Sequence, residues 1–70
     1  MDHLALNSKD IAIVGYEPGT QILEVAFRSG GVYRYEGVPE EIYQGFLGAS
    51  SHGAYFQENI RGRYSHQKVS

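Results

Sequence analysis

Apolar and polar residues are arranged in the first half of the chain as β-strands require. Residues 10–16 are apolar almost without interruption, which is typical of a strand covered on both faces. Residues 22–27 alternate instead, with Leu23, Val25 and Phe27 on one face of the predicted strand. Residues 32–36 carry the third predicted strand. Pro18 and Gly19 predict a type II turn between the first two strands, with Gly19 taking the positive φ.

The loop of the second hairpin decides which way the two tyrosines of its return strand face. A two-residue loop would turn Tyr33 and Tyr35 toward solvent. A three-residue loop over residues 28–30 would instead place both rings on the apolar face and pair Glu24 with Arg34 on the other face. Gly30 would take the left-handed conformation in this loop. We favour the three-residue loop because it separates apolar from charged residues and pairs opposite charges.

The second half of the chain has the features of two short helices. Pro39 suits the first position of a helix, and the two glutamates that follow it favour the positive end of the helix dipole. Phe46 and Leu47 continue an apolar stripe at helical spacing. Ser51 can cap a second helix, in which apolar residues recur up to residue 60. We therefore predict an α+β fold: a three-stranded antiparallel β-meander with two short C-terminal helices packed on one face.

The length of 70 residues allows one small domain, which we place at residues 8–65, with flexible termini at residues 1–7 and 66–70. The first strand would be an edge of the meander, and an edge this apolar predicts either weak dimerisation or coverage by a terminus. The longest aliphatic run, residues 11–14, is far short of the roughly 20 residues that span a bilayer. Because no signal peptide precedes it, we expect a cytoplasmic protein without membrane contact.

Charge is distributed unevenly along the chain. The formal net charge is −2, but residues 51–70 carry three basic side chains against Glu58 alone. The weakly acidic whole argues against tight non-specific DNA binding, which depends on neutralising phosphates. Arg61 and Arg63 at the basic end can hold phosphate, or can simply keep a terminal segment in solution. Arg61 can equally cap a helix or bond a tyrosine hydroxyl.

No pattern in the chain is typical of a catalytic or metal site. Ser51 and His52 are sequence neighbours, and such neighbours rarely reach each other as nucleophile and base. Glu40 and Glu41 point in different directions on a helix. The three histidines lack the spacing of metal ligands, and the chain has no cysteine. We therefore expect no enzyme activity, no metal, no cofactor and no small-molecule substrate.

Three short motifs identify a family when they are taken together. Residues 33–35 are Tyr-Arg-Tyr, followed by Val38-Pro39 and the aromatic Tyr43. Residues 51–56 follow the pattern small-x-Gly-x-Tyr-Phe, and residues 60–64 follow Ile-Arg-x-x-Tyr. In these motifs, residues 8–64 resemble the KTSC family, a domain named for its occurrence at the C-terminus of some lysyl-tRNA synthetases. The family also occurs as a stand-alone small bacterial protein.

The resemblance implies RNA as a ligand, because of the association with a tRNA synthetase. The site residues we predict on this basis are Tyr33, Arg34, Tyr35, Tyr55, Arg61, Arg63 and Tyr64. Tyr33 and Tyr35 can stack bases, although the favoured hairpin register makes them core residues with hydroxyls at the rim. We predict a small non-catalytic binding module with RNA as its ligand. The alternative is a protein–protein interaction or self-association module, with a protein partner or a weak homodimer.

Overall fold

The computed structural model describes residues 1–70 and contains five strands and two helices. In chain order these are β1 (Asp2–Ala5), β2 (Ile11–Glu17), β3 (Ile22–Phe27), β4 (Val32–Tyr35), α1 (Glu40–Gly48), α2 (His52–Asn59) and β5 (His66–Lys68). The strands form one antiparallel sheet in the order β1-β2-β3-β4-β5. The predicted α+β class, with an antiparallel sheet and two helices, is confirmed. The prediction of three strands is wrong.

Both additional strands come from the terminal segments for which the sequence predicts flexibility, residues 1–7 and 66–70. β1 pairs with β2, with Leu4 opposite Val14, and β5 pairs with β4, with His66 opposite Tyr35. Every residue of the two strands is exposed. A strand that buries no side chain leaves no hydrophobic alternation in the sequence, which explains why the pattern predicts neither strand. The mobility of these segments in solution stays a prediction.

A β-bulge explains why β2 is so apolar. The register against β3 shifts between Ile11 and Ile13, so that Ala12 is the extra residue. The shift places Ile11 and Val14 in the core, both fully buried, whereas Ile13 is 41% exposed on the other face. The expectation of a strand covered on both faces is therefore wrong at Ile13. β2 lies between β1 and β3, so the terminus covers it and it is not an edge.

The three-residue loop of the second hairpin is confirmed. Val25 lies opposite Tyr33, and Glu24 lies opposite Arg34. The Phe27 amide donates to the Gly31 carbonyl at 3.1 Å, which closes the loop at residues 28–30. Gly30 has a φ of +105°, a conformation that favours glycine. Tyr33 and Tyr35 therefore face the same side as the core.

Both helices pack on that side of the sheet and contribute to one hydrophobic cluster. Pro39 is the N-cap of α1, and the Ser51 hydroxyl caps α2 by accepting a hydrogen bond from the Ala54 amide at 3.2 Å. Phe46 of α1 and Phe56 of α2 are almost fully buried. The cluster consists of Ile11, Val14, Tyr16, Leu23, Val25, Tyr35, Val38, Tyr43, Phe46, Phe56 and Ile60. Neither helix has the length and apolar character that a membrane span requires.

Candidate functional site

A groove of about 340 Å³ lies between α2 and the β3-β4-β5 part of the sheet. Its walls are formed by Phe27, Tyr33, Tyr35, Phe56, Gln57, Arg61 and His66, with the hairpin residues Ser29 and Gly30 at one end. We call this feature the aromatic groove. It collects residues from three strands, one helix and two loops, so only the folded chain assembles it.

The rings of the aromatic groove hold one another in fixed orientations. Tyr33 packs edge-to-face on Phe27, with ring centroids 5.7 Å apart. Tyr35 packs edge-to-face on Phe56 at 5.4 Å and lies nearly parallel to the His66 ring at 5.2 Å, with an interplanar angle of 28°. Such aromatic pairs fix ring positions beyond what burial alone achieves. The groove therefore presents a preformed aromatic surface.

Tyr35 combines a buried ring with a hydroxyl that has no partner in the chain. The residue is 4% exposed. No buried polar side-chain atom lacks a hydrogen bond, so the Tyr35 hydroxyl reaches the solvent of the groove that the residue lines. Burial raises the pKa of Tyr35, and the nearby positive charge of Arg61 partly opposes that rise. Tyr35 and Arg61 both line the aromatic groove.

The two arginines after α2 have different roles. Arg61 donates from Nη1 to Gln57 Oε1 at 3.0 Å, which leaves most of its guanidinium donors free at the groove. Arg63 donates from Nε to the Glu58 carbonyl at 2.9 Å, near the C-terminal end of the helix. Arg63 is thus the residue that satisfies a helix carbonyl, a role that the sequence allowed for Arg61. Neither arginine bonds a tyrosine hydroxyl.

Arg34 lies on the opposite, helix-free face of the sheet. Its Nε donates to Glu24 Oε2 at 3.0 Å, and His3 Nε2 lies 3.0 Å from the other oxygen of the same carboxylate. Hydrogen bonds from His3 and then Arg34 hold the pKa of the Glu24 carboxyl below its usual range. His3 reaches Glu24 across Gly15, where a Cβ would lie only 2.9 Å from the His3 ring. This face therefore carries a polar network of its own.

Tyr55 and Tyr64 lie outside the aromatic groove. The Tyr55 hydroxyl donates to the Ile42 carbonyl of α1 at 3.0 Å, so Tyr55 joins the two helices. Tyr64 is half-buried against the core and follows a turn in which Gly62 has a φ of +78°. Of the seven predicted site residues, the groove brings together Tyr33, Tyr35 and Arg61. Of the other four, Arg34 lies on the helix-free face, Tyr55 joins the two helices, Arg63 lies at the end of α2 and Tyr64 packs against the core.

Two residues of β5, one aromatic and one basic, were not among the site residues predicted from the sequence. His66 stacks on Tyr35, and Lys68 lies opposite Tyr33 in the sheet register. Both residues fall in the segment for which the sequence predicts a flexible terminus. The position of residues 66–70 in the chain could have indicated β5, since a segment that follows the last helix can return to the sheet and pair with β4.

The residues weighed for catalysis or metal binding are engaged elsewhere. Ser51 caps α2, and His52 Nδ1 lies 2.9 Å from the Phe46 carbonyl at the end of α1. Since a carbonyl only accepts, Nδ1 carries the proton in this contact. His3, His52 and His66 lie on β1, α2 and β5 respectively, so they do not converge. Ser51 thus stabilises the start of α2, and His52 joins α2 to α1.

The chain belongs to the KTSC domain family, because the model of that family matches residues 7–64. The resemblance drawn from the three motifs is therefore confirmed. The crystal structure of a KTSC domain protein from Yersinia pestis superposes with a TM-score of 0.96 at 36% sequence identity, covering 99% of this chain and 97% of that one. The five-stranded fold with two helices is thus shared with a solved structure.

Relatives of two kinds are similar in sequence. The chain is 48% identical over 64 residues to an uncharacterized protein of Stutzerimonas stutzeri (strain A1501), an alignment that covers 91% of the chain and 90% of the relative. It is 38% identical over 55 residues to a lysine–tRNA ligase of Nostoc sp. (strain PCC 7120), which covers 79% of the chain but 10% of the ligase. The chain therefore corresponds to a small segment of the ligase.

Proposed function

We propose that this protein is a small non-catalytic binding module and that its ligand is RNA, held in the aromatic groove. The observation that carries the proposal is the convergence of Tyr33, Tyr35 and His66 with Arg61 in one open groove. Aromatic side chains stack on unpaired bases, and arginine donors pair with phosphate. The groove offers both within one site.

The chemistry of each lining residue supports this ligand. Tyr33 is half-buried, so part of its ring remains free to contact a base. The unpaired Tyr35 hydroxyl can hydrogen-bond a base edge or a ribose hydroxyl. Lys68 lies opposite Tyr33 in the register, so β5 adds a further positive charge near Tyr33. The occurrence of a similar segment in lysine–tRNA ligases also supports an RNA ligand.

The non-catalytic part of the proposal rests on how potential reactive groups are used. Ser51 and His52 make structural hydrogen bonds at the helix ends. The groove contains no carboxylate that could act as a general base, and its one imidazole, His66, stacks on Tyr35. A cytoplasmic location, where RNA is abundant, is part of the same proposal.

The test is RNA binding by fluorescence anisotropy as a function of salt. We expect the affinity of the wild type for a short RNA to fall as salt rises, and Arg61→Ala to weaken binding across sequences. The slope of log K against log salt should flatten by about 0.7 for each phosphate that the variant no longer neutralises. Arg34→Ala is the matched control, because it removes the same charge from the opposite face. Equal affinities of the wild type and Arg61→Ala would contradict the proposal.

A second candidate function, self-association, is favoured by the helix-free face. Ala5, Ile13, Ala26 and Val32 occupy successive register positions across four strands and form an apolar row there. Ile13 is 41% exposed. Light scattering across a concentration series, with Ile13→Lys as the disrupting variant, distinguishes this function from RNA binding. A wild type that remains monomeric at all concentrations would exclude it.

A further inference from the structure

Two further hollows adjoin the aromatic groove along α2. The next hollow, of about 390 Å³, shares Phe27, Phe56 and Gln57 with the aromatic groove. The last hollow, also of about 390 Å³, shares Lys9, Asp10, Gly53 and Gln57 with the middle one and reaches the start of α2. Gln57 lines all three. We call this row of three hollows the α2 channel.

The α2 channel has a charge opposite to that of the whole chain. Of the six basic residues, Lys9, Arg28 and Arg61 line it, whereas Asp10 is its one acidic residue. Three positive charges less one negative charge give +2, in a chain whose formal net charge is −2. Because the channel is positive and the rest of the chain is negative, a polyanion is attracted to the channel and repelled by the remaining surface.

Asp10 lies at the start of α2, whereas Arg28 keeps its positive charge in the channel. Asp10 Oδ2 lies 3.2 Å from the position a Cβ on Gly53 would take, so its charge faces the positive N-terminal end of α2. Arg28 donates to the carbonyls of Ser8 and Leu6 at 2.6 and 2.8 Å. Since carbonyls are neutral acceptors, the charge of Arg28 remains available to a ligand.

The channel also changes in chemistry along its length. Its aromatic end presents the half-buried Tyr33 ring and the Tyr35 hydroxyl, while its other end is polar and presents Asn7, Ser8 and Ser51. Stacking on the aromatic end requires free base faces, which a duplex keeps covered by its neighbouring bases. The positive, polar remainder suits a sugar–phosphate backbone.

We propose that the ligand is single-stranded RNA that runs along the α2 channel, with bases stacked in the aromatic groove and backbone phosphates at Arg28 and Lys9. This inference rests on the proposed RNA-binding function and adds the strand state, path and length of the ligand. The footprint is about four nucleotides, the lower end of the range known for small single-strand-binding folds. Lys9 is then the far end of the site.

The test is anisotropy with fluorescein-labelled RNAs of two, four, six and eight nucleotides and with a duplex of the same sequence. Affinity should rise with length to about four to six nucleotides and then level off, and the duplex should bind at least about tenfold more weakly. Arg61→Ala should weaken binding at every length. Lys9→Ala should leave the dinucleotide unaffected and flatten the salt slope of the six- and eight-nucleotide RNAs by about 0.7. Lys9 is exposed, so circular dichroism should show an unchanged fold.

Two results would overturn the inference while leaving RNA binding intact. One is a duplex that binds as tightly as the single strand. The other is an eight-nucleotide RNA that Lys9→Ala binds like the wild type although Arg61→Ala weakens it, which would confine the ligand to the aromatic groove. If the wild type binds none of these RNAs, the proposed function itself fails and the inference falls with it.

Discussion

The Tyr55 hydroxyl of α2 donates a hydrogen bond to the Ile42 carbonyl of α1 at 3.0 Å, and the Tyr55 ring lies over Gly45. A Cβ at Gly45 would collide with the Tyr55 hydroxyl oxygen, whereas one at Gly48 would meet nothing within 4 Å. Both glycines lie in α1, where each is less favourable than alanine. Close approach of the two helices therefore explains Gly45 and leaves Gly48 unexplained.

The two glycines of α1 should respond in opposite directions to alanine. Gly45→Ala should lower the free energy of unfolding by about 1–3 kcal/mol, because the new methyl group displaces Tyr55 and its hydrogen bond. Gly48→Ala should raise it by up to about 1 kcal/mol, through helix propensity alone. Urea denaturation of both variants measures the difference. Equal effects at the two positions would show that Tyr55 does not pack on α1 as described.

Truncation of the two groove tyrosines should separate stability from binding. Tyr35 is 4% exposed, so Tyr35→Ala should cost on the order of 3–5 kcal/mol, a large part of the stability of so small a domain. Tyr33 is half-buried, so Tyr33→Ala should cost less stability and should still weaken RNA binding. Thermal melts of the two variants rank their stabilities. A Tyr35→Ala variant that melts with the wild type would contradict the hairpin register.

Removal of hydroxyl groups should distinguish two buried tyrosines. The Tyr16 hydroxyl donates to the Val38 carbonyl inside the core, so Tyr16→Phe leaves a buried acceptor unpaired and should cost about 1–3 kcal/mol. The Tyr35 hydroxyl has no partner in the chain and reaches the groove, so Tyr35→Phe should leave the melting temperature nearly unchanged. The affinity of the Tyr35→Phe variant for RNA should fall instead. If Tyr16→Phe and Tyr35→Phe both melt at the wild-type temperature, the Tyr16 hydrogen bond contributes nothing to stability.

The stability of the domain should decrease at acid pH, because the Glu24 carboxylate becomes protonated there. Hydrogen bonds from His3 and Arg34 lower the pKa of Glu24 in the folded state. The stabilisation is therefore complete above the unfolded-state pKa of about 4.3 and is lost as the pH falls through the folded-state value. The melting temperature of the wild type should exceed that of Glu24→Gln most at neutral pH, and the gap should narrow below about pH 4. Glu58→Gln is the control, since Glu58 is exposed and forms no ion pair. A gap that stays constant with pH would refute this role.

The parts of the fold that bury side chains were predictable from the sequence. The alternation in β3 and the opposite charges of Glu24 and Arg34 determined the hairpin register, which the structure confirms. Ser51 was predicted as a cap from its residue type and position, and it is one. In each case a local physical preference agrees with the global fold.

The remaining features depend on contacts that no local pattern records. β1 and β5 bury no side chain, so they exist through backbone pairing with β2 and β4. The predicted type II turn at Pro18-Gly19 is wrong, because a four-residue loop joins β2 to β3 and Gln21 takes the positive φ of 57°. The aromatic groove was predicted only in part, since His66 enters it through β5.

The most direct test of the central claim, that RNA binds in the aromatic groove, is an NMR titration of the ¹⁵N-labelled protein with a six-nucleotide single-stranded RNA. We expect the amide signals of Tyr33, Gln57 and Arg61 to shift in a saturable way, while those of Ile13 and Glu24 on the helix-free face stay in place. Unchanged signals throughout, or shifts confined to the helix-free face, would contradict the claim.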